Sequence, residues 1–170
     1  MLYRDPETIE AMFGINHKVH LDPMPQARHR YNGHNLYDPN AYHKTTLRNL
    51  VIAGLNNNGI TADMLPLTTS YVSIEMTFFV SCPSGHFVNG NRSNNIQREN
   101  QHIMPTASGD IDNYVKLLLD VLDGIFFQND SNVVKIAATK LYCIEARGRT
   151  VYNVRPYVMN SISLINNDDN

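Results

Sequence analysis

Residues 109–131, GDIDNYVKLLLDVLDGIFFQNDS, constrain this chain most, because they set three carboxylates at the two ends of one strongly apolar helix. Asp110 and Asp112 precede the helix and Asp130 follows it. Ile111, Val115, Leu118, Leu119 and Leu122 recur at helical spacing and are expected to anchor it in a core. Asp112, Lys116 and Asp120 step by four and share one polar face. Asp123-Gly124 reads as the C-cap, Ile125-Phe126-Phe127 packs back on the core, and residues 129–131 turn. Two readings of the polar face are open. One is a solvated stripe with good caps, since Asp112 is a competent N-cap residue. The other is a metal site: clustered carboxylates repel one another, and a hard divalent cation, Mg²⁺ or Mn²⁺, relieves that repulsion. Capping accounts for Asp110 and Asp112 but gives no reason for Asp130 at the far end or Lys116 one turn after Asp112.

The rest of the chain supplies one ordinary domain around this helix. With 170 residues and 42% hydrophobic content there is enough for one core and too little for two, so a single domain over residues 1–170 is expected. No apolar run approaches the roughly 18 residues of a membrane span, and residues 1–14 lack the apolar core of a signal peptide. Cys82 and Cys143 have no CxxC spacing, so neither a disulfide framework nor a zinc ribbon is indicated. The expectation is a soluble intracellular protein of a reducing compartment. A net charge of -2 and a pI near 6.4 weigh mildly against a nucleic-acid binder taken as a whole.

Local composition differs from that average. Residues 1–12, with Asp5, Glu7 and Glu10, form a peripheral arm. Phe13, Ile15, Val19 and Leu21 then alternate with polar residues as in a half-buried strand, where His17 reads as a histidine with a satisfied hydrogen bond. After Asp22-Pro23-Met24-Pro25, the segment between Arg28 and Arg48 holds Arg28, Arg30, Lys44 and Arg48 against Asp38 alone, interleaved with Tyr31, Tyr37 and Tyr42. Cations mixed with aromatics suit phosphates and bases, and an exposed loop with ordinary charges is the plain alternative. A helix opening at Asp38-Pro39 runs to about Leu55 on a stripe of Leu47, Leu50, Val51 and Leu55, and residues 60–66 hold a short helical turn. Val72, Ile74, Met76, Phe78 and Val80 mark a strand over residues 71–80, with Glu75 on its solvated face. Residues 81–108, rich in Ser, Asn, Gly and Pro, read as a flexible insertion beside the site. His86 and His102 there lack zinc-ligand spacing. Residues 132–144 form a third strand with Val134, Ile136, Ala138, Lys140 and Tyr142 on one parity, residues 151–158 a fourth, and 161–170 a polar tail. The fold class is therefore α+β, a mixed sheet of about four strands with two main helices.

The run Asp110-Ile111-Asp112-Asn113, then Lys116, Asp120, Gly124, Asp130, Val133-Val134 and Lys140, resembles the signature of the RusA family of Holliday junction resolvases. Pro23, Pro25, Arg28, Arg30 and Tyr31, followed by Tyr37-Asp38-Pro39, resemble the basic entry of many members. The resemblance implies a homodimeric, Mg²⁺- or Mn²⁺-dependent endodeoxyribonuclease of recombination and repair that nicks four-way DNA junctions. It places the metal ligands on Asp110, Asp112 and Asp130, the essential lysine on Lys116, and a supporting acid on Asp120. DNA contacts are expected from Arg28, Arg30, Lys44, Arg48 and Lys140, the last also a candidate for stabilising transition-state charge. Ser108-Gly109 and Asn129 depart from the Lys-Pro and the first acid often found there, and His29 replaces a proline. The family is common in phages and other mobile or viral genomes, so the resemblance admits a phage- or virus-encoded protein in cytoplasm or nucleoid. Two other functions compete: a junction-binding DNA protein whose catalytic site has decayed, and a phosphatase or sugar transferase using the DxD. The last lacks a buried apolar strand before Asp110, since residues 106–109 are TASG.

Overall fold

The alternation Val72, Ile74, Met76, Phe78 becomes β4 (Val72–Ser81), whose four apolar residues are fully buried while Ser73, Glu75 and Thr77 turn the other way. The computed structural model describes residues 6–86, 105–106, 108–143 and 147–158. Within them β4 is an inner strand of a four-stranded mixed sheet. It pairs parallel with β5 (Val133–Cys143) and antiparallel with β6 (Arg149–Pro156), which in turn pairs with β1 (His17–Val19). Two short strands, β2 (Arg30–Tyr31) and β3 (Leu36–Tyr37), form a separate hairpin. The helices are α1 (Pro6–Ala11), α2 (Ala41–Asn56) and α3 (Ile111–Leu122). A short 3-10 turn, Ala62–Met64, stands where a helical turn was expected. This is the small α+β architecture expected. Most of the expected insertion at 81–108, including His102, the tail 161–170 and the first residues of the arm lie outside the described residues.

Helices α2 and α3 share one core with the buried face of β4. Leu47, Val51 and Leu55 of α2 meet Tyr114, Leu117, Leu118, Val121 and Leu122 of α3 over Val72, Ile74, Met76 and Phe78, and the rings of Phe78 and Tyr114 lie 5.4 Å apart. Phe126 and Phe127 close the end of that core below the helix.

Four expectations change in detail. The first strand is three residues long, because Gly14 takes a positive φ of 83° and turns the chain, so Ile15 is exposed and pairing with β6 starts at His17. Leu50 lies on the outer flank of α2 and is exposed. On α3 the buried stripe is Tyr114, Leu117, Leu118, Val121 and Leu122, rotated from the one expected; Ile111 is 39% exposed and Val115 and Leu119 only half-buried. On β5, an edge strand among the described residues, Val134 and Ile136 are 47% and 44% exposed.

Candidate active site

Gly109 delivers the chain into α3. Its φ of +95° is a left-handed turn open to glycine at little cost, and a Cβ there would lie 3.1 Å from Cγ of Pro25. Asp110, in extended conformation, is the N-cap residue, and Asp112 sits in the first turn, so both carboxylates meet the positive end of the helix dipole. Neither acts as a side-chain cap: the Asp110 side chain makes no capping bond, and Asp112 pairs with Lys116 one turn on, Nζ to Oδ2 at 3.2 Å. The plain capping account of the pair therefore fails. Both are exposed and available to a ligand.

The two aspartates stand on a ridge between two open cavities. One, about 560 Å³, is lined by Gln26, Arg28, His29, Asp110, Asp112, Asn113, Lys116 and Asp120. The other, about 350 Å³, is lined by Pro105, Thr106, Gly109 to Asp112, and Lys140. Lys140 comes from β5, opposite Phe78 in register; its Nζ donates to the Gly109 carbonyl and lies 5.6 Å from the centre of the Tyr114 ring. Tyr114 in turn donates its hydroxyl to the Ser108 carbonyl, and burial raises its pKa against that bond. The turn ahead of Asp110 is thus tied to the sheet and to α3 at successive residues.

Asp130 is elsewhere. It begins a 3-10 turn, Asp130–Asn132, held by a reciprocal pair of bonds between Asn129 and Asn132, just before β5. The 12 residues of α3 span about 18 Å at ~1.5 Å per residue, and Val133 to Lys140 spans roughly 23 Å of strand, so Asp130 lies at the opposite end from Asp110. Among the described residues no three of His, Cys, Asp and Glu converge as metal ligands. The expected cluster of Asp110, Asp112 and Asp130 is therefore not assembled within one chain, because a helix holds its own two ends apart. The pair that is assembled still fits a small hard cation: Mg²⁺ commonly takes one or two carboxylates and fills its remaining positions with water and phosphate oxygens.

Two expected DNA contacts serve the scaffold. Lys44 bridges Asp38 at 2.8 Å and Asp120 at 2.7 Å. Desolvation lowers the Lys44 pKa, but hydrogen bonds to Asp120 and Asp38 outweigh it and hold the group above the usual lysine range. Asp38 shifts down: desolvation opposes the shift, and the Lys44 and Asn40 hydrogen bonds win. Arg48 donates to the carbonyls of Val121 at 2.9 Å and Asp123 at 2.8 Å, capping the C-terminal end of α3. Arg28 and Arg30 remain exposed, Arg28 on the cleft wall. Sequence reading missed Asn40, almost wholly buried, whose Oδ1 accepts from Ala27 N at 2.7 Å and whose Nδ2 donates to the Pro25 carbonyl at 3.2 Å. Its signal was weak: one asparagine after Asp38-Pro39.

Fold and site define a small α+β protein with an open cleft in which two aspartates stand between lysines. The chain belongs to the RusA family: the family model described as Endodeoxyribonuclease RusA matches residues 20–151. It is also similar to a Bacillus subtilis (strain 168) protein described as Uncharacterized protein YqaN, 30% identical over 81 residues, 48% of this chain and 56% of that protein. The chain thus spans little more than half the length of that relative. Among the described residues, no helix is long and apolar enough to cross a membrane.

Proposed function

We propose that this protein is a metal-dependent endodeoxyribonuclease that cuts four-way DNA junctions, acting as a homodimer in DNA recombination and repair. The observation that carries the reading is the exposed Asp110–Asp112 pair between Lys116 and Lys140, at the head of α3, in a member of the RusA family. Asp110 and Asp112 would hold Mg²⁺ or Mn²⁺. A cation there neutralises phosphate charge and acidifies water. Lys116 lines the cleft, and its exposed ion pair with Asp112 leaves a side chain that would meet charge building on the phosphorus oxygens. Lys140 keeps the Gly109 turn in place and sets a second positive charge beside Asp110. Arg28 and Arg30 would contact flanking phosphates.

The third carboxylate would come from a second copy. Among the described residues β5 has a neighbour on one side only, and antiparallel pairing of β5 with its counterpart about Ile136 would set the partner's Asp130 opposite Tyr142, beside Lys140. The same contact would cover Val134 and Ile136, which one chain leaves exposed.

The test is cleavage of a synthetic four-way junction by purified protein with Mg²⁺ or Mn²⁺. Paired nicks are expected, reduced about 100-fold or more by Asp112→Asn, since a metal supplies several kcal/mol of charge stabilisation. Junctions left intact under both cations would reject the nuclease, and tight junction binding in that case would identify a binding protein instead.

A further inference from the structure

The β2–β3 hairpin carries its side chains outside the core. Cross-strand register sets Tyr31 opposite Leu36 on one face and Arg30 opposite Tyr37 on the other. Tyr31 and Leu36 are each 69% exposed, an aromatic–aliphatic pair that the described residues do not cover. Two residues per strand bury too little to hold a hairpin by themselves.

Its two roots hold it instead. Gln26 N donates to the Asn113 carbonyl of α3 at 2.9 Å, one residue after Asp112. Asn40 clamps Pro25 and Ala27, and Asp38 is locked through Lys44 to Asp120 of the same helix. At the tip, Asn32 Oδ1 accepts from the backbone of His34 at 3.0 Å and Asn35 at 2.8 Å, and the Tyr31 hydroxyl donates to Gly33 O at 2.8 Å. The result is a stiff finger fixed to the helix that bears the carboxylates. Residues 23–37 contain Arg28 and Arg30 and no Asp or Glu, so the finger is complementary to a polyanion.

We propose that this hairpin is a wedge for branched DNA, in which Tyr31 and Leu36 enter the open centre of the junction and pack on bases at the branch point. This rests on the reading of the protein as a junction endonuclease and deepens it, by naming what tells a junction from a duplex. Arginines at the root grip phosphates of any DNA. In a linear duplex every base face is stacked and opening a step is costly, whereas an apolar wedge at a branch point meets faces already free to open. Leu36 is a wedge residue by type and Tyr31 a stacking one. His29 and Arg28, at the finger's base, line the same cleft as Asp110 and Asp112, so a branch point held at the tip would lie next to the strand to be cut.

The test uses the full chain, a four-way junction with 2-aminopurine at a branch-point nucleotide, and the matching linear duplex, in Ca²⁺ to suppress cleavage. Wild-type protein should raise 2-aminopurine fluorescence and prefer the junction. Tyr31→Ala/Leu36→Ala should lose the rise and about 10-fold of the preference while binding the duplex within about twofold. Tyr31→Phe, which keeps the ring and loses the Gly33 bond, should behave as wild type. Unchanged preference in the double variant overturns the wedge alone, as does a loss shared by Tyr31→Phe, which assigns the effect to the turn. A loss that accompanies a change in sedimentation overturns it in favour of a contact between copies. Wild-type protein with no junction preference sinks the endonuclease reading and the wedge together.

Discussion

Gly109 and Gly148 both stand where a methyl group would collide, and the two collisions should read out differently. At Gly148 an added Cβ would meet the Phe79 carbonyl at 2.6 Å and collide with Asp22 Oδ1, disrupting the bond from Gly148 N to Asp22 at 2.6 Å. A backbone carbonyl cannot swing away as a side chain can, so Gly148→Ala should cost about 1–3 kcal/mol and lower the melting temperature by roughly 2–10 °C. At Gly109 the neighbour is the Pro25 ring and the φ is +95°, costing about 1–2 kcal/mol for an L-residue. Relief there moves Asp110, so Gly109→Ala should lose junction cleavage out of proportion to stability, and Gly148→Ala the reverse. Thermal melts and single-turnover cleavage of both variants check this; equal loss of activity would separate Gly109 from the site. That Asp110, Asp112 and Lys116 lie near one another was legible because they are spaced within two turns of one helix start, Lys116 four residues after Asp112. The tasks of Lys44 and Arg48 were not, since the α3 partners are 76 residues from Lys44 and 73 to 75 from Arg48 and only the packing of α2 on α3 brings them together.

At the scale of elements, α3 explains a misreading. Its sequence carries two overlapping apolar stripes, Ile111-Val115-Leu119 and Tyr114-Leu117-Val121, sharing Leu118 and Leu122. Periodicity announces a helix but not which stripe faces the sheet. Tyr114 decides it, because its ring meets Phe78 while its hydroxyl reaches Ser108 O at the helix start. β4 was readable outright, for one face is buried and the other is wet. β1 was overread, since alternation through residue 14 says nothing of a glycine at positive φ. The His17 on β1 was read as a satisfied histidine, and its Nε2 donates to the Met12 carbonyl at 3.0 Å while its ring stacks on Tyr152 at 5.1 Å. Burial lowers its pKa below the ordinary 6.5, against that hydrogen bond. The unfolded chain therefore takes up a proton first: the contribution is whole above pH 6.5 and is lost as pH falls through the window down to the folded value. Urea midpoints should drop from pH 7.5 to about 5.5, and His17→Phe should flatten that slope. His43, also lowered by burial with Asp22 opposing, adds to the same window, so a residual slope is expected.

At the scale of the whole molecule, the distance of Asp130 from Asp110 and Asp112 and the exposed apolar side chains of β5 would both be accounted for by a second copy of the chain. Asp130 is far from Asp110 and Asp112 in the chain that carries all three, and it precedes β5, whose outer edge is unpaired among the described residues. Ile111 on α3 and Val134 and Ile136 on β5 are exposed, and Val115 and Leu119 are half-buried, so apolar side chains of both elements remain open to a partner. A twofold axis beside β5 would bury those side chains and bring each Asp130 to the other copy's aspartate pair, giving two identical sites for two strands of opposite sense. The consequence can be measured by subunit mixing. Asp112→Asn and Asp130→Asn should each abolish cleavage alone. In a mixed dimer the shared-site arrangement puts both substitutions in one site and leaves the other whole, so combining the two inactive proteins, after dissociation and reassembly, should restore nicking of one strand of a four-way junction, to roughly half the wild-type rate per mixed dimer. If each site drew all its carboxylates from one chain, every site in the mixture would carry a substitution, and the mixture would stay inactive.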